Sequence, residues 1–492
     1  MPPKSLKQKA VSGMIWTALQ RYSTMLIQFI SGIILARLLT PYDYGCIGML
    51  MIFVILAEAF IDGGFGSALI QKKQPTQEDY STIFFWNLGM AAVLYAVLYF
   101  SAPAIAGFYN IPLLCDVLRI QGVVLLIYAF NIVQRNQLRK KLNFKVLSIV
   151  TISTSLIALS VTIFMAYHGY GVWSLVTQHI LTALIPALVF WFYIKWRPVF
   201  TFSWKSFWEL FSFGFYMFLT NLINQFGQQI QGLLIGRFYN ANTMGLYSKA
   251  HATERLASQS ISQVLTQVTY PLYAELQDDK LRLGGVIKKL TITLSYFTFP
   301  LMFLLILCAK PLFLVLYSER WLDSVPYFQV LCLAGIPFCL QGVNNQAIAA
   351  VGKSDVMFKW TVLKRSVSIF TMFCTMYLFG IKGLLIGLVF TTWFAYFVNI
   401  SLVSKFIGYK WNRQLADILP VLAFATIDFI ITYILSSFLD MPLFIDAIFR
   451  LVSFTGIYVF WSLAFKPECY ISFKSVAKPL FAKGLGKINN LR

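Results

Sequence analysis

Residues 34–49 read ILARLLTPYDYGCIGM, and 200 positions further on residues 234–249 read LIGRFYNANTMGLYSK. Ile34-Leu35-Ala36-Arg37-Leu38 falls on Leu234-Ile235-Gly236-Arg237-Phe238, and Gly45 falls on Gly245. Beyond them the offset grows by 8–13, as loop insertions require: Pro103 and Tyr109 match Pro311 and Tyr317, Gly122 matches Gly335, and Gly171 matches Gly383. Each pairing alone is weak, but their shared order marks an internal repeat.

The chain that carries the repeat is apolar. Of 492 residues, 58% are hydrophobic and only 12% charged, against about 25% charged in an ordinary soluble protein. A mean hydropathy of +0.71 agrees. Too few polar side chains remain to cover a soluble globule, so this is an integral membrane protein. Fourteen mostly apolar runs, from 12–39 to 444–465, are each long enough to cross about 30 Å of hydrocarbon as a helix. They are continuous rather than alternating, which excludes a barrel. The first run holds Arg21 and is followed by no small-residue cleavage site, so it reads as a span and not as a signal peptide.

The repeat groups these runs six to a copy. Six is even, so the copies share one orientation and are related by an axis along the membrane normal. The sequence therefore predicts an all-α polytopic membrane protein with about 14 transmembrane helices. An N-terminal lobe occupies 1–200, a second six-helix lobe 201–407, two extra C-terminal helices 408–466 and a basic cytoplasmic tail 467–492.

The charge supports this topology. Lys and Arg number 40 against 19 Asp and Glu. With the N-terminus inside, thirty cations fall on the cytoplasmic side, and only Lys310, Arg320 and Lys382 in the opposite loops. That bias predicts cytoplasmic N- and C-termini, and nucleic acid is not needed to explain the excess. The tail reads as an anionic-lipid contact. Seven cysteines and three histidines show no metal-ligand spacing, so no metal site is expected.

Polar side chains run in stripes along the apolar helices. Thr17, Arg21, Thr24, Gln28 and Ser31 lie on one face of the first span, and Asn221, Asn224, Gln228 and Gln231 repeat that face on the seventh. On the eighth, His251, Arg255, Ser258, Ser262, Thr266 and Thr269 form another, and the second-span equivalents of Ser258 and Ser262 are Glu58 and Asp62. Such faces must look into the bundle or onto water, which predicts a central hydrated cleft between the two halves. Hydroxyl and amide groups in the stripes also serve as helix–helix hydrogen bonds. A charge at mid-bilayer costs at least about 2.5–3.5 kcal/mol, so Arg21, Glu58, Asp62 and Arg255 are the sharper candidates. Lys249 lies nearer a helix end and can snorkel. Asp446 and Arg450 read as a local ion pair, and Asp428 has no legible partner.

Taken together, ILARLLTPYDYGCIGM at 34–49, DGGFGSALIQ at 62–71, GYGVWSLV at 169–176, IGRFYNANTMGLYSKA at 235–250 and YPLYAELQDD at 270–279 resemble a Wzx-type flippase. That family is the polysaccharide transporter branch of the multidrug/oligosaccharidyl-lipid/polysaccharide (MOP) exporter superfamily. Two departures are a more polar Asn240-Ala241-Asn242 and Lys249 where the family commonly has Arg. The resemblance implies that an oligosaccharide on a polyprenyl pyrophosphate moves from the inner to the outer leaflet of a bacterial inner membrane. The products would be lipopolysaccharide O-antigen, capsule or exopolysaccharide. It implies two lobes rocking in alternating access, membrane lipids as neighbours, and a polysaccharide polymerase with its chain-length machinery as partners.

On this reading Arg21, Arg255 and Lys249 bind the pyrophosphate and sugar, Asn221, Asn224, Gln225, Gln228 and Gln231 offer hydrogen bonds to sugar hydroxyls, and Gln28 and His251 complete the substrate-binding set. No cofactor is expected; H⁺ or Na⁺ coupling, if used, would fall to Glu58 and Asp62. A drug or cation antiporter of the same superfamily would need an acidic or aromatic cleft, which Arg21, Lys249 and Arg255 oppose. A membrane polysaccharide polymerase would need a large outer loop, and the one with Glu319, Arg320 and Asp323 is short. Gly352-Lys353-Ser354 lacks the first P-loop glycine, since Ala347 occupies that place. ATP is therefore not the expected energy source, and no catalytic residue is assigned.

Overall fold

The computed structural model describes residues 6–439, 441–465 and 470–471, excluding the side chains of 6–11, 213, 260–272, 274, 354 and 355. The cations of the expected tail and the stripe side chains of Ser262, Thr266 and Thr269 therefore lie outside the described residues. In chain order come α1 (Leu6–Leu38), α2 (Pro41–Asp62), α3 (Phe65–Gln71), α4 (Gln77–Tyr109), α5 (Leu113–Lys140), α6 (Phe144–Tyr167), α7 (Val172–Tyr193) and α8 (Trp204–Phe238). These are followed by α9 (Ala241–Glu275), α10 (Lys280–Leu307), α11 (Ala309–Tyr317), a 3-10 turn (Glu319–Ser324), α12 (Val325–Ala350), α13 (Ser354–Ile407), α14 (Trp411–Phe438) and α15 (Leu443–Phe465).

No strand occurs among the described residues. The chain is an all-α, multi-pass membrane protein. Ten of its helices are long and apolar enough to span, and α13 breaks at Gly380, whose φ of 64° is left-handed, into two spans. The other long helices are α1, α8 and α9, with 33, 35 and 35 residues. Each is of spanning length but too polar to rank with the ten, and these are the helices that carry three of the polar stripes. Together these segments account for the fourteen spans.

Local chemistry sets the helix ends. Thr40 caps α2 in a capping box with Asp43: its backbone N–H donates to Asp43 Oδ2 at 2.9 Å, and Asp43 N–H donates to Thr40 Oγ1 at 3.4 Å. Pro41 then occupies the first turn, where its missing N–H costs nothing. Thr40→Ala is expected to lower stability by about 1 kcal/mol, read as a small drop in the thermal midpoint. An unchanged midpoint would show the box to be idle.

The chain divides into two compact units, Met1–Ser248 and Lys249–Arg492, with the boundary inside α9. In the first unit α1 lies on α6, α4 on α5, α7 on both α5 and α6, and α2 on α8. The opening turns of α2 and α9 cross backbone on backbone. A Cβ on Gly45 would fall 1.7 Å from the Ala241 carbonyl oxygen, and one on Gly245 would fall 1.7 Å from that of Pro41. These are repeat-equivalent positions, so the contact is two-fold in its residues. Gly48 meets Ser248, its own equivalent, in the same crossing. Nearby, the Phe65 ring stands 5.5 Å from Phe207 and 5.9 Å from Phe211 in a buried aromatic cluster that holds α3 against α8.

In the second unit α10 lies on α12 and α14, α12 on α13, and α14 on α15. Buried Trp321, Phe313 and Phe328 anchor the 3-10 turn and its flanking helices. Asp446 and Arg450 form the expected ion pair at 2.9 Å, and Arg450 also donates to the Leu307 carbonyl at 2.9 Å. Among the described residues the six cysteines are free thiols.

Candidate functional site

The first unit contains an open cavity of about 470 Å³. One face of each of five helices lines it, because the lining positions keep helical spacing. On α2 these are Met51, Val54, Ile55 and Glu58, and on α5 they run from Gln121 through Tyr128 and Asn131 to Arg135 and Arg139. From α1, α6 and α7 come Gln20, Thr154 and His179, among others. Along α5 the cavity extends from Gln121 to Arg139, about 27 Å at 1.5 Å per residue.

Its two ends differ chemically. At one, Gln121 Nε2 lies 3.0 Å from His179 Nδ1 and 3.7 Å from Met51 Sδ. Gln121 is 1% exposed and Thr154 3%, yet Gln121 Oε1 and Thr154 Oγ1 have no hydrogen-bond partner, nor has Asn131 Oδ1, one turn of α5 before Arg135. A buried polar atom left this way costs about 1–3 kcal/mol. At the other end Arg135 and Arg139 stand one helical turn apart.

Arg135 acts electrostatically on Glu58, and both arginines act on Asp62. Among the described residues none of these four groups closes an ion pair within 4.0 Å. The two carboxylates are held differently. Asp62 lies against the backbone of Gly64 and Gly66, in a turn where Gly63 and Gly64 take φ of 52° and 77°. Glu58 lines the cavity itself. The arrangement offers guanidinium donors, one carboxylate and unpaired amide and hydroxyl atoms to a polar guest.

The remaining expected site residues distribute as follows. On α1 Arg21 is half-buried and Gln28 exposed; on α8 Asn221 is exposed, while Asn224 and Gln228 are half-buried. Gln231 is buried and accepts from the Tyr247 hydroxyl at 3.2 Å. In the second unit Lys249 is 5% exposed, its ammonium 4.2 Å from the Tyr317 ring centre and 5.5 Å from that of Trp321. His251 and Arg255 are half-buried, and Arg255 lies in electrostatic reach of both His251 and Arg365. Asp428 is buried on α14; Thr432 Oγ1 approaches its Oδ1 at 3.4 Å, and its Oδ2 has no partner. Glu319, Arg320 and Asp323 are exposed on the 3-10 turn.

Several of the cations counted at the cytoplasmic junctions lie on helices, Arg135, Arg139, Lys364 and Arg365 among them. Sequence reading ends the fourth span at 134 and assigns Arg135 and Arg139 to a basic loop, but α5 continues to Lys140. The chain turns out of the helix at Leu142, with φ of 54°, and no Gly or Pro interrupts the run between Gly122 and that point. Their signal was present: 121, 124, 128, 131, 135 and 139 continue a single spacing of three and four. Lys364 and Arg365 likewise lie well inside α13, with Lys364 Nζ donating to Asn399 Oδ1 at 2.8 Å. Glu254, buried with Oε1 unpartnered, also went unread.

Residues 34–326 match the family model described as "Polysaccharide biosynthesis protein". The chain is 27% identical over 358 residues to the teichuronic acid biosynthesis protein TuaB of Bacillus subtilis (strain 168), covering 72% of this chain and 74% of that protein. It is 21% identical over 443 residues to the lipopolysaccharide biosynthesis protein WzxC of Escherichia coli (strain K12), covering 89% and 87%. Among solved structures, the lipid II flippase MurJ in an inward closed conformation superposes with a TM-score of 0.74 at 14% identity, over 92% of this chain and 98% of that one. An inward-facing multidrug resistance MATE family transporter of the MOP superfamily gives 0.62 at 14% identity, over 80% and 98%. These structural likenesses establish a shared fold.

Proposed function

Because the chain belongs to the polysaccharide biosynthesis protein family, we propose that it is a flippase that carries a lipid-linked oligosaccharide across the bacterial inner membrane. The observation that carries this reading is the polarity of α1, α8 and α9. Three helices of spanning length hold Arg, His, Asn and Gln in stripes that hydrocarbon would not tolerate. A hydrophilic headgroup needs such faces to cross while its lipid tail stays in the bilayer. Both termini lie in the cytoplasm on the charge bias, and transport runs from the inner to the outer leaflet, as the resemblance to Wzx-type flippases implies. There a polymerase and its chain-length machinery can take up the glycan for O-antigen, capsule or exopolysaccharide. The relatives named for teichuronic acid and lipopolysaccharide biosynthesis support the cargo class.

The membrane potential can supply the drive. Moving a diphosphate of about two negative charges outward is downhill by roughly 4–5 kcal/mol per 100 mV, at about 2.3 kcal/mol per charge. Coupling to H⁺ or Na⁺ is then not obligatory, and Glu58 and Asp62 are the groups that would serve it. Half-buried Arg21 and Arg255 attract the diphosphate, since guanidinium matches phosphate oxygens in pairs. In vesicles containing purified protein and a fluorescent glycolipid, Arg21→Ala with Arg255→Ala is expected to slow leaflet exchange by about tenfold or more. Exchange at the wild-type rate would overturn this assignment, and lengthening of the glycan by the protein alone would indicate an enzyme instead.

A further inference from the structure

We infer that the first unit docks an anionic bilayer phospholipid on the surface where the α5–α6 and α7–α8 junctions meet. This is a resident lipid and not the cargo, so the inference stands whether or not the transport reading does. Between Asp116 and Glu209 the chain holds no acidic residue, while nine Lys or Arg lie in that interval. Five of them, Lys141, Lys145, Lys195, Arg197 and Lys205, are exposed at the two junctions. Among the described residues none of the five closes an ion pair within 4.0 Å. The junctions are neighbours in space. Leu138 and Leu147 of one share a buried cluster with Phe190 and Ile194 of the other, and Phe144 and Trp196 pack against it.

Residues 194–203, between α7 and α8, form no helix, yet their backbone is tied to α4. Val199 N–H donates to Ser81 Oγ at 3.1 Å, Ser203 N–H to Thr82 Oγ1 at 3.0 Å, and Gln77 Nε2 to the Arg197 carbonyl at 2.6 Å. Arg197 is itself held: its guanidinium lies 4.8 Å from the Trp191 ring centre and donates to the Ile194 and Trp196 carbonyls. The opposite side of this strap is aromatic. Phe200 is 94% exposed, Trp204 62% and Trp208 59%, and four of the twelve tryptophans fall within residues 191–208. Tryptophan settles at headgroup depth, where its ring meets acyl chains and its N–H meets water. Cations at that depth attract anionic headgroups. An acidic cytoplasmic protein would also satisfy the cations, but the tryptophans stand at the ends of two spans, where lipid already surrounds them.

The test measures binding of fluorescent phosphatidylglycerol and phosphatidylcholine to the full chain in detergent, with the basic tail intact throughout. Wild type is expected to prefer phosphatidylglycerol by about tenfold or more. Lys141→Gln, Lys195→Gln and Lys205→Gln combined should weaken phosphatidylglycerol by about tenfold and leave phosphatidylcholine unchanged, which a folding defect would not do. Arginine at the same three positions, which keeps the charge, should bind as wild type. Trp204→Ala with Trp208→Ala should weaken both lipids by about threefold, since the rings contact lipid whatever its charge. Lys310→Gln with Lys382→Gln, in the opposite loops, should change neither. If wild type binds the two lipids alike, or the glutamine triple keeps the preference, the inference is overturned. It is equally overturned if wild type shows no preference and the three lysines are needed only to hold a cytoplasmic protein, to which the surface would then belong.

Discussion

Gly45→Val is expected to abolish the crossing of α2 and α9 and, with it, nearly all translocation. The first atom of any side chain at 45 lands 1.7 Å from a backbone oxygen, with the Ala241 carbonyl carbon at 2.5 Å and its Cα at 2.9 Å. None of these atoms can turn aside as a side-chain end could, so the helices must separate. Overpacking of this kind costs about 1–3 kcal/mol even where neighbours yield, and 2 kcal/mol changes a conformer ratio by about thirtyfold. Gly245→Val should act alike, because Pro41 presents its carbonyl to Gly245 as Ala241 does to Gly45. A cysteine pair at Gly48 and Ser248 reports the crossing directly: it should cross-link in the parent chain and fail to do so with valine at 45. Efficient cross-linking and wild-type flipping in Gly45→Val would refute the prediction.

The second large effect concerns Asp79, at the start of α4. Its side chain is 1% exposed, accepts the Thr76 backbone N–H at 2.8 Å and meets Lys72 Nζ at 3.1 Å. Asp79→Ala removes the capping box and the charge that Lys72 faces. Losing the cap costs about 1 kcal/mol. Breaking a buried pair costs up to about 3–5 kcal/mol, less here because Lys72 is 23% exposed and keeps Glu209 at 3.1 Å. A total near 2–4 kcal/mol is expected, read as a clear fall in the thermal midpoint in detergent. Asp79→Asn, which keeps a cap acceptor, should fall less.

Lys72 gives the pH dependence of the same network. Its partial burial disfavours the ammonium, but the hydrogen bonds to Glu209 and Asp79 outweigh this and raise its pKa. A raised lysine contributes in full below its ordinary value near about 10.4 and loses that contribution only as pH climbs past the raised one. The destabilisation by Lys72→Ala should therefore stay constant through neutral pH and shrink only in strong alkali. No loss of midpoint in Asp79→Ala would show the network to be idle.

How much could be read in advance varies with the kind of feature. Gly45 and Gly245, paired in the sequence at an offset of 200, were legible as required glycines, and their crossing supplies the reason: only a residue without Cβ lets the two backbones meet. The ion pair of Asp446 and Arg450 was legible because it is local to one helix. Arg135 and Arg139 lie past the end of the apolar run yet still on α5, because hydropathy ends a span where charges begin, whereas a helix ends where its backbone turns, here at Leu142. The aromatic enclosure of Lys249 was not legible either, since Tyr317 and Trp321 come from a distant helix and turn.

The amino-acid sequence by itself determined the membrane class, the fourteen spans and the polar stripes. These follow from run length, charge bias and helical period, all of which are additive over neighbouring residues. Only the tertiary structure decided that Glu58, Gln121, Arg135 and His179 border one cavity, and that Asp62, a turn beyond Glu58, lies outside its lining, against the backbone of Gly64 and Gly66. Which polar side chains share a space depends on how helix faces far apart in the chain come together, and that is set by close contacts such as the one at Gly45 rather than by any local pattern.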